Sequence, residues 1–127
     1  MVYLLAALGG ALGALARWAV AEALPRSPGG WPWATLAVNL LGCLLIGVLI
    51  AVLAARRPDD QRLRTFLGAG VLGGFTTFSA FAVEVVDLLR AGSPWLAAAY
   101  VAVSVLGGLV AVAAGLRLGA AGAGFRA

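Results

Sequence analysis

The stretch from Leu67 to Asp87 reads LGAGVLGGFTTFSAFAVEVVD, and it decides the fold. It is long and apolar enough to cross a bilayer, which takes about 20 residues in a helix. It also carries four glycines, two threonines, one serine and three phenylalanines, which a span that only contacts lipid does not need. The stretch therefore predicts a transmembrane helix whose middle has a function.

The centre of this stretch favours an interruption of the helix. Gly73 and Gly74 are followed closely by the β-branched residues Thr76 and Thr77. In hydrocarbon, an unpaired backbone N–H or C=O is costly, so a helix breaks only where protein or water satisfies the freed groups. The pattern predicts a third transmembrane helix that is broken near its middle.

The composition of the whole chain is typical of an integral membrane protein. Of its 127 residues, 63% are hydrophobic and 11% are charged, and the mean hydropathy is +1.04. Soluble domains are about 45–50% apolar and about 25% charged, so a soluble globular domain is excluded. We expect an all-α integral membrane protein in which residues 1–127 form one four-helix transmembrane domain. The expected spans are about 2–23, 34–55, 65–89 and 95–118.

The nine basic residues are all arginines, and the net charge is +4. They lie mainly between apolar runs, which indicates topology and contact with lipid headgroups rather than nucleic-acid binding. Four spans place both termini and the loop after span two on one side, together with Arg56, Arg57, Arg62, Arg64, Arg117 and Arg126. The other side has Arg26, Arg90 and, at the end of span one, Arg17. The positive-inside rule favours cytoplasmic termini in a multi-pass protein of the cell (inner) membrane.

The sequence offers little for catalysis. It contains no nucleotide-binding loop and no nucleophile–base pair, and Cys43 is its only cysteine. With no second thiol and no histidine, Cys43 has no partner for a disulfide or a metal site within the chain. We therefore expect that the chain is not an enzyme.

Two groups of side chains in the spans are candidates for binding an anion. Phe78 and Phe81 are three residues apart on one helix, with Thr77 and Glu84 at neighbouring positions. Because the edge of an aromatic ring is partly positive, the two rings either line the path of an anion or simply pack against lipid and protein. Asn39 in span two either donates its amide hydrogens to an anion or forms an interhelical hydrogen bond.

Further polar residues of the spans also leave two interpretations open. Arg17 is either an anchor at the membrane surface or part of a vestibule wall, and Glu84 either forms a structural hydrogen bond or carries protons. Tyr100, Ser104 and Gly108 repeat every four residues along one face of span four. Because nearly all of these candidate groups are donors or positive ring edges, a pathway for a small, hard anion fits better than a proton pump.

Three motifs resemble those of the Fluc/CrcB family of fluoride channels. Residues 73–81, GGFTTFSAF, resemble the family signature GGxTTFSTF. Residues 9–18, GGALGALARW, are similar to its first-span pattern, and residues 35–42, TLAVNLLG, are similar to its second-span pattern TLxVNxxG. The resemblance extends over all four spans in order.

The resemblance implies a fluoride-selective channel that passively exports cytoplasmic fluoride and lowers its toxicity. It also implies an antiparallel, dual-topology homodimer with two pores in the lipid bilayer. The positions that match the fluoride pathway of the family are Asn39, Thr77, Phe78, Phe81, Glu84, Tyr100 and Ser104. Arg17, the candidate vestibule residue, matches the arginine of the Arg-aromatic pair that ends the first-span pattern, and the backbone carbonyls of Gly73 and Thr76 match a structural Na⁺ site at the dimer centre.

Two positions depart from the family pattern. Ala80 replaces the usual threonine between the phenylalanines, and Gly108 lies where some relatives carry a second serine, so we expect a polar track with one hydroxyl fewer. Dual topology also requires nearly balanced loops, which the arginines do not show, so a heterodimer with an unlike paralogue is an alternative assembly. Alternative functions are a small multidrug-type, proton-coupled exporter, for which Glu22 is the only acid in span one, and a structural membrane subunit.

Overall fold

The structure is a computed structural model that describes residues 1–124; Arg126, counted above in the charge balance, lies outside these residues. Its helices are α1 (Val2–Ala23), α2 (Trp33–Arg56), α3 (Gln61–Leu63), a π-helix (Arg64–Leu72), α4 (Gly73–Phe75), α5 (Phe78–Arg90) and α6 (Pro94–Gly122). The segment from α3 to α5 forms the third of four helical segments long and apolar enough to cross a membrane. The prediction of an all-α protein with four such helices is confirmed.

Two segment ends differ from the predicted ones. The third segment begins at Gln61 rather than near residue 65, because the carboxylate of Asp60 accepts a hydrogen bond of 2.9 Å from the N–H of Leu63 and caps α3. The same hydrogen bond lowers the pKa of the Asp60 carboxyl. Helix α6 continues beyond Leu118 to Gly122, since Gly119 packs on α2, where an added Cβ would lie 2.7 Å from the carbonyl oxygen of Val48.

Helix α1 packs against the π-helix and α4 with the two backbones in contact. A Cβ added to Gly13 would collide with the carbonyl oxygen of Val71, and one added to Gly74 would collide with that of Gly10. This close approach is possible only because glycine has no side chain. The backbone of α1 therefore fixes the position of the third segment just before Thr76.

Helices α2 and α6 form the second close pair, again through glycines. A Cβ on Gly47 would meet the carbonyl oxygen of Val112, and one on Gly115 would meet that of Leu44. Helix α5 completes the bundle, where Leu88 packs with Leu36 of α2 and Tyr100 of α6 in a small buried cluster. The remaining surface carries many exposed large apolar side chains, which suits contact with lipid or with another apolar chain.

Candidate functional site

The backbone is extended at two residues in the middle of the third segment. Thr76 has φ −82° and ψ 159°, and Thr77 has φ −149° and ψ 126°. The N–H and the hydroxyl of Thr76 both donate to the carbonyl oxygen of Leu72, each at 3.0 Å, and so close the preceding turn. The hydroxyl of Thr77 accepts a hydrogen bond of 3.2 Å from the N–H of Ala80 and caps α5.

Asn39 on α2 holds this extended segment through both polar atoms of its amide. Its Nδ2 donates to the carbonyl oxygen of Thr77 at 2.9 Å, and its Oδ1 accepts from the N–H of Thr77 at 2.8 Å. In a continuous helix, the N–H of Thr77 would instead donate to the carbonyl of Gly73. Asn39 therefore forms interhelical hydrogen bonds, and its nitrogen still carries a second N–H for another acceptor.

An open groove of about 490 Å³ adjoins the extended segment. It brings together five of the predicted pathway residues, which are Asn39, Thr77, Phe78, Phe81 and Ser104. The Ser104 hydroxyl oxygen is buried and has no hydrogen-bond partner within residues 1–124. The rest of the lining is mainly apolar and includes Cys43, Ile46, Leu72 and Val105.

The two phenylalanine rings lie side by side at this groove. Their centroids are 5.8 Å apart, with an angle of 42° between the ring planes. Phe78 is 79% exposed, whereas Phe81 also packs on Tyr100, with centroids 5.2 Å apart. The aromatic series from Phe78 to Tyr100 therefore connects the groove with a second polar cluster.

This second cluster is centred on the carboxyl group of Glu84. The hydroxyl of Thr35 donates to its Oε1 and the hydroxyl of Tyr100 donates to its Oε2, each at 2.7 Å. Sequence reasoning left Thr35 out of the site, although its position one helical turn before Asn39 places both residues on one face of α2. In the structure, both hydroxyls of the cluster donate their hydrogen bonds to Glu84.

Arg17 lies beside the same interruption, on the α1 side. Its Nε donates to the carbonyl oxygen of Gly74 at 3.1 Å. In a continuous helix that carbonyl would accept from the N–H of residue 78, so the guanidinium supplies a donor next to the two extended residues. By contrast Glu22, on which the exporter alternative depends, is exposed in the last turn of α1.

A bundle of four helices that are each long and apolar enough to cross a membrane defines a multi-pass membrane protein, and an open groove lies beside the extended segment of its third span. Residues 4–116 match the family model described as CrcB-like protein, Camphor Resistance (CrcB). Because the match extends over most of the sequence, the chain belongs to the CrcB family.

Similar proteins carry names that describe an ion channel. The chain is 49% identical to the fluoride-specific ion channel FluC 2 of Streptomyces avermitilis, over 76% of this chain and 61% of that relative. It is also 49% identical to FluC 2 of Thermobifida fusca, over 85% of this chain and 80% of the relative. Identity to FluC of Hyphomonas neptunium is again 49%, over 90% of this chain and 91% of the relative.

Proposed function

We propose that this chain forms a fluoride-selective channel, through which cytoplasmic fluoride leaves the cell passively so that its toxicity falls. The observation that carries the proposal is the groove in which Asn39, Thr77, Phe78, Phe81 and Ser104 converge. Membership of the CrcB family and the names of the three relatives, which describe fluoride-specific ion channels, support the same conclusion. The membrane concerned would be the cell (inner) membrane.

Selectivity follows from the donors that the groove offers. Fluoride is small and gives up its water reluctantly, so a pathway must replace that water with closely spaced donors, in the manner of other selectivity filters. The second N–H of Asn39, the unpaired hydroxyl of Ser104 and the positive edge of Phe78 are such donors. A larger halide would not fit the spacing that suits fluoride.

The Glu84 cluster extends the proposed path beyond the phenylalanines. The hydroxyl hydrogen of Thr35 can rotate about its C–O bond, and that of Tyr100 can switch between two positions in the ring plane, so both can turn from Glu84 to an arriving anion. In this account, Glu84 keeps the two hydroxyls in place while no anion is present. Arg17, beside the interruption, adds a positive charge that favours anions in a vestibule.

We further propose that the active form is an antiparallel, dual-topology homodimer with two pores. The 79% exposure of Phe78 beside the extended segment supports a partner at this face, because a pore residue needs a wall on each side. The carbonyls of Gly73 and Thr76 are the proposed ligands of a structural Na⁺ at the dimer centre. Their fit is supported by two N–H groups that would pair with them in a continuous helix, since Thr77 donates to Asn39 and Ala80 donates to the Thr77 hydroxyl. Carbonyl oxygens are hard ligands suited to such an ion, and the bound ion would supply positive charge between the two chains.

The proposal is tested by fluoride efflux from liposomes that contain only the purified chain, followed with a fluoride electrode. Rapid loss of fluoride with retention of chloride is the expected result. Absence of fluoride efflux from folded protein would contradict the homodimeric channel. Co-reconstitution with a paralogous chain would then separate a missing partner from a purely structural subunit.

A further inference from the structure

A second pocket of about 480 Å³ lies at one end of the bundle, separate from the groove. It is formed where the loop after α1 meets the turn after α5, and it shares no lining residue with the groove. Its charged lining residues are Arg26, Asp87 and Arg90. None of these three belongs to the proposed fluoride pathway.

The side chain of Arg26 lines this pocket, and part of its guanidinium forms no hydrogen bond in the described part of the chain. Its Nε donates to the carbonyl oxygen of Gly30 at 2.9 Å, which fixes the guanidinium. Its Nη1 lies 3.8 Å from the Oδ2 of Asp87, too far for a hydrogen bond, and its Nη2 is buried without a partner in the described part of the chain. The Arg26 side chain is 21% exposed, so Nη1, which forms no hydrogen bond with Asp87, is the donor that remains accessible to an external acceptor.

The pocket combines charges of both signs. Arg26 and Arg90 offer two guanidinium groups, which bind phosphate oxygens well because their N–H groups are fixed in a plane. The side chain of Asp87 is 49% exposed, and the nearby carboxyl end of α5 adds partial negative charge. Such a site suits a ligand that carries a phosphate next to a cationic group.

Tryptophans place the pocket at the level of the lipid headgroups. Trp33 begins α2 and is 64% exposed, and Trp95 lies in the first turn of α6 and is 86% exposed. Exposed tryptophans of membrane proteins concentrate at the interface between water and hydrocarbon. Both helices begin at the end of the bundle that holds the pocket, so the pocket lies at the depth of the phospholipid headgroups.

We propose that this pocket binds the headgroup of an aminophospholipid, such as phosphatidylethanolamine. The phosphodiester lies on Arg26 and Arg90, and the primary ammonium lies on the carboxylate of Asp87 near the carboxyl end of α5. The two signs of charge in the ligand match those of the pocket. This assignment does not depend on which ion the channel conducts.

The test is native mass spectrometry of the purified protein in detergent with short-chain phosphatidylethanolamine or phosphatidylglycerol. Arg26→Gln is expected to weaken binding of both lipids by about tenfold, because each loses a charge-assisted contact with the phosphate. Asp87→Asn is expected to weaken the binding of phosphatidylethanolamine by about tenfold, because the lost carboxylate attracts only the ammonium. The same variant should strengthen the binding of phosphatidylglycerol, which has no ammonium. The matched control is Arg62→Gln, an exposed arginine on α3 at the opposite end of the bundle.

Three outcomes would overturn the proposal. Arg26→Gln could behave like the control, Asp87→Asn could change the binding of both lipids in the same direction, or inorganic phosphate could bind as tightly as the lipid. Arg90→Gln provides the same test as Arg26→Gln if the latter variant does not fold, because Arg90 is exposed.

Discussion

Ser104 carries a hydroxyl whose buried oxygen finds no partner among the described residues. Ser104→Ala removes a hydroxyl that forms no hydrogen bond within one chain, so the free energy of unfolding should stay the same or rise by about 1 kcal/mol. Fluoride efflux should nevertheless fall, because the groove loses a free donor. Thermal unfolding in detergent and efflux from liposomes measure the two effects separately.

Thr35 provides the matched comparison, because its hydroxyl is also buried but donates to Glu84 at 2.7 Å. Thr35→Val should therefore cost about 1.5–3 kcal/mol of stability, as expected for a hydrogen bond to a charged group. Equal losses of stability in Ser104→Ala and Thr35→Val would show that the Ser104 hydroxyl is also partnered in the folded protein, and that it is not a free donor.

Phe78 tests the role of the ring edge. Within one chain the side chain is 79% exposed, so Phe78→Ile should change the stability of the monomer by no more than about 0.5 kcal/mol, and a larger loss is expected where the proposed partner covers the ring. An aliphatic side chain has no positive edge, so the ratio of fluoride to chloride efflux should fall by about tenfold or more. Leu89→Ile, at a half-exposed position of the same helix, is the control. Unchanged chloride and fluoride rates in Phe78→Ile would rule out a contribution from the ring edge.

The sequence identifies which residues of the site come together better than it identifies what they contact. The resemblance to the Fluc/CrcB family predicts that Asn39, Phe78 and Ser104 share one pathway, whereas the residues alone leave packing or an interhelical hydrogen bond open for the first two. The pairing of Asn39 with the backbone of Thr77 could not be predicted, because it depends on the separation of two helices that are distant in sequence. The bond from Arg17 to the carbonyl of Gly74 depends on tertiary packing in the same way.

The extended segment of the third span depends on one side chain from a neighbouring helix. Asn39→Leu would leave both the N–H and the C=O of Thr77 without their present partners in an apolar setting. We expect a loss of about 2 kcal/mol or more in the free energy of unfolding, with reduced efflux. Asn39→Asp should lose at least as much stability, because an ionised carboxylate is costly in an apolar setting and its second oxygen would face the carbonyl oxygen of Thr77. Wild-type stability of Asn39→Leu would mean that water or a partner chain replaces the amide.

Close packing of α1 on the third span can be tested with two neighbouring glycines. A Cβ on Gly13 would collide with the backbone of Val71, whereas a Cβ on Gly10 meets no atom within 4 Å. Gly13→Ala should cost about 1–3 kcal/mol of stability, because two backbones must move apart. Gly10→Ala should be neutral or stabilising by about 0.5–1 kcal/mol, since alanine favours a helix over glycine. Thermal unfolding of both variants tests this difference, and equal stability of the two variants would contradict the close packing of α1 on the third span.

Helix type was less predictable from the sequence than helix position. The glycines and threonines of residues 73–77 favour an extended segment through local chemistry, although its geometry also depends on Asn39 of α2. The π-helix of Arg64–Leu72 has no such local signal, and π-helices are rare in general. Here it lies where the chain packs backbone to backbone on α1, so its geometry depends on a contact that the sequence pattern does not show.

For the molecule as a whole, the number of membrane spans was predictable, because a span requires only a local run of apolar residues long enough to cross the bilayer. An assembly is not predictable in this way, because contacts between chains depend on three-dimensional surfaces; the exposed apolar residues of α1 and the ring of Phe78 are candidate contacts of the proposed homodimer. The arginines also bear on the assembly, because their unequal distribution favours one orientation of the chain. The end of the bundle that carries the α2–α3 loop holds Arg56, Arg57, Arg62, Arg64 and Arg117, whereas the opposite end holds Arg26 and Arg90.

The orientation of the chain in cells therefore tests the proposed dual-topology homodimer. In a Cys43→Ala background, Ser27→Cys and Asp59→Cys place a thiol at opposite ends of the bundle, both at exposed positions. A homodimer of antiparallel chains requires that a membrane-impermeant thiol reagent labels about half of the molecules of each variant in intact cells, against the bias of the arginines. Complete labelling of Ser27→Cys with protection of Asp59→Cys would instead show one orientation with cytoplasmic termini. In that case the chain would need an unlike partner of opposite orientation, and liposomes containing this chain alone should show no fluoride efflux.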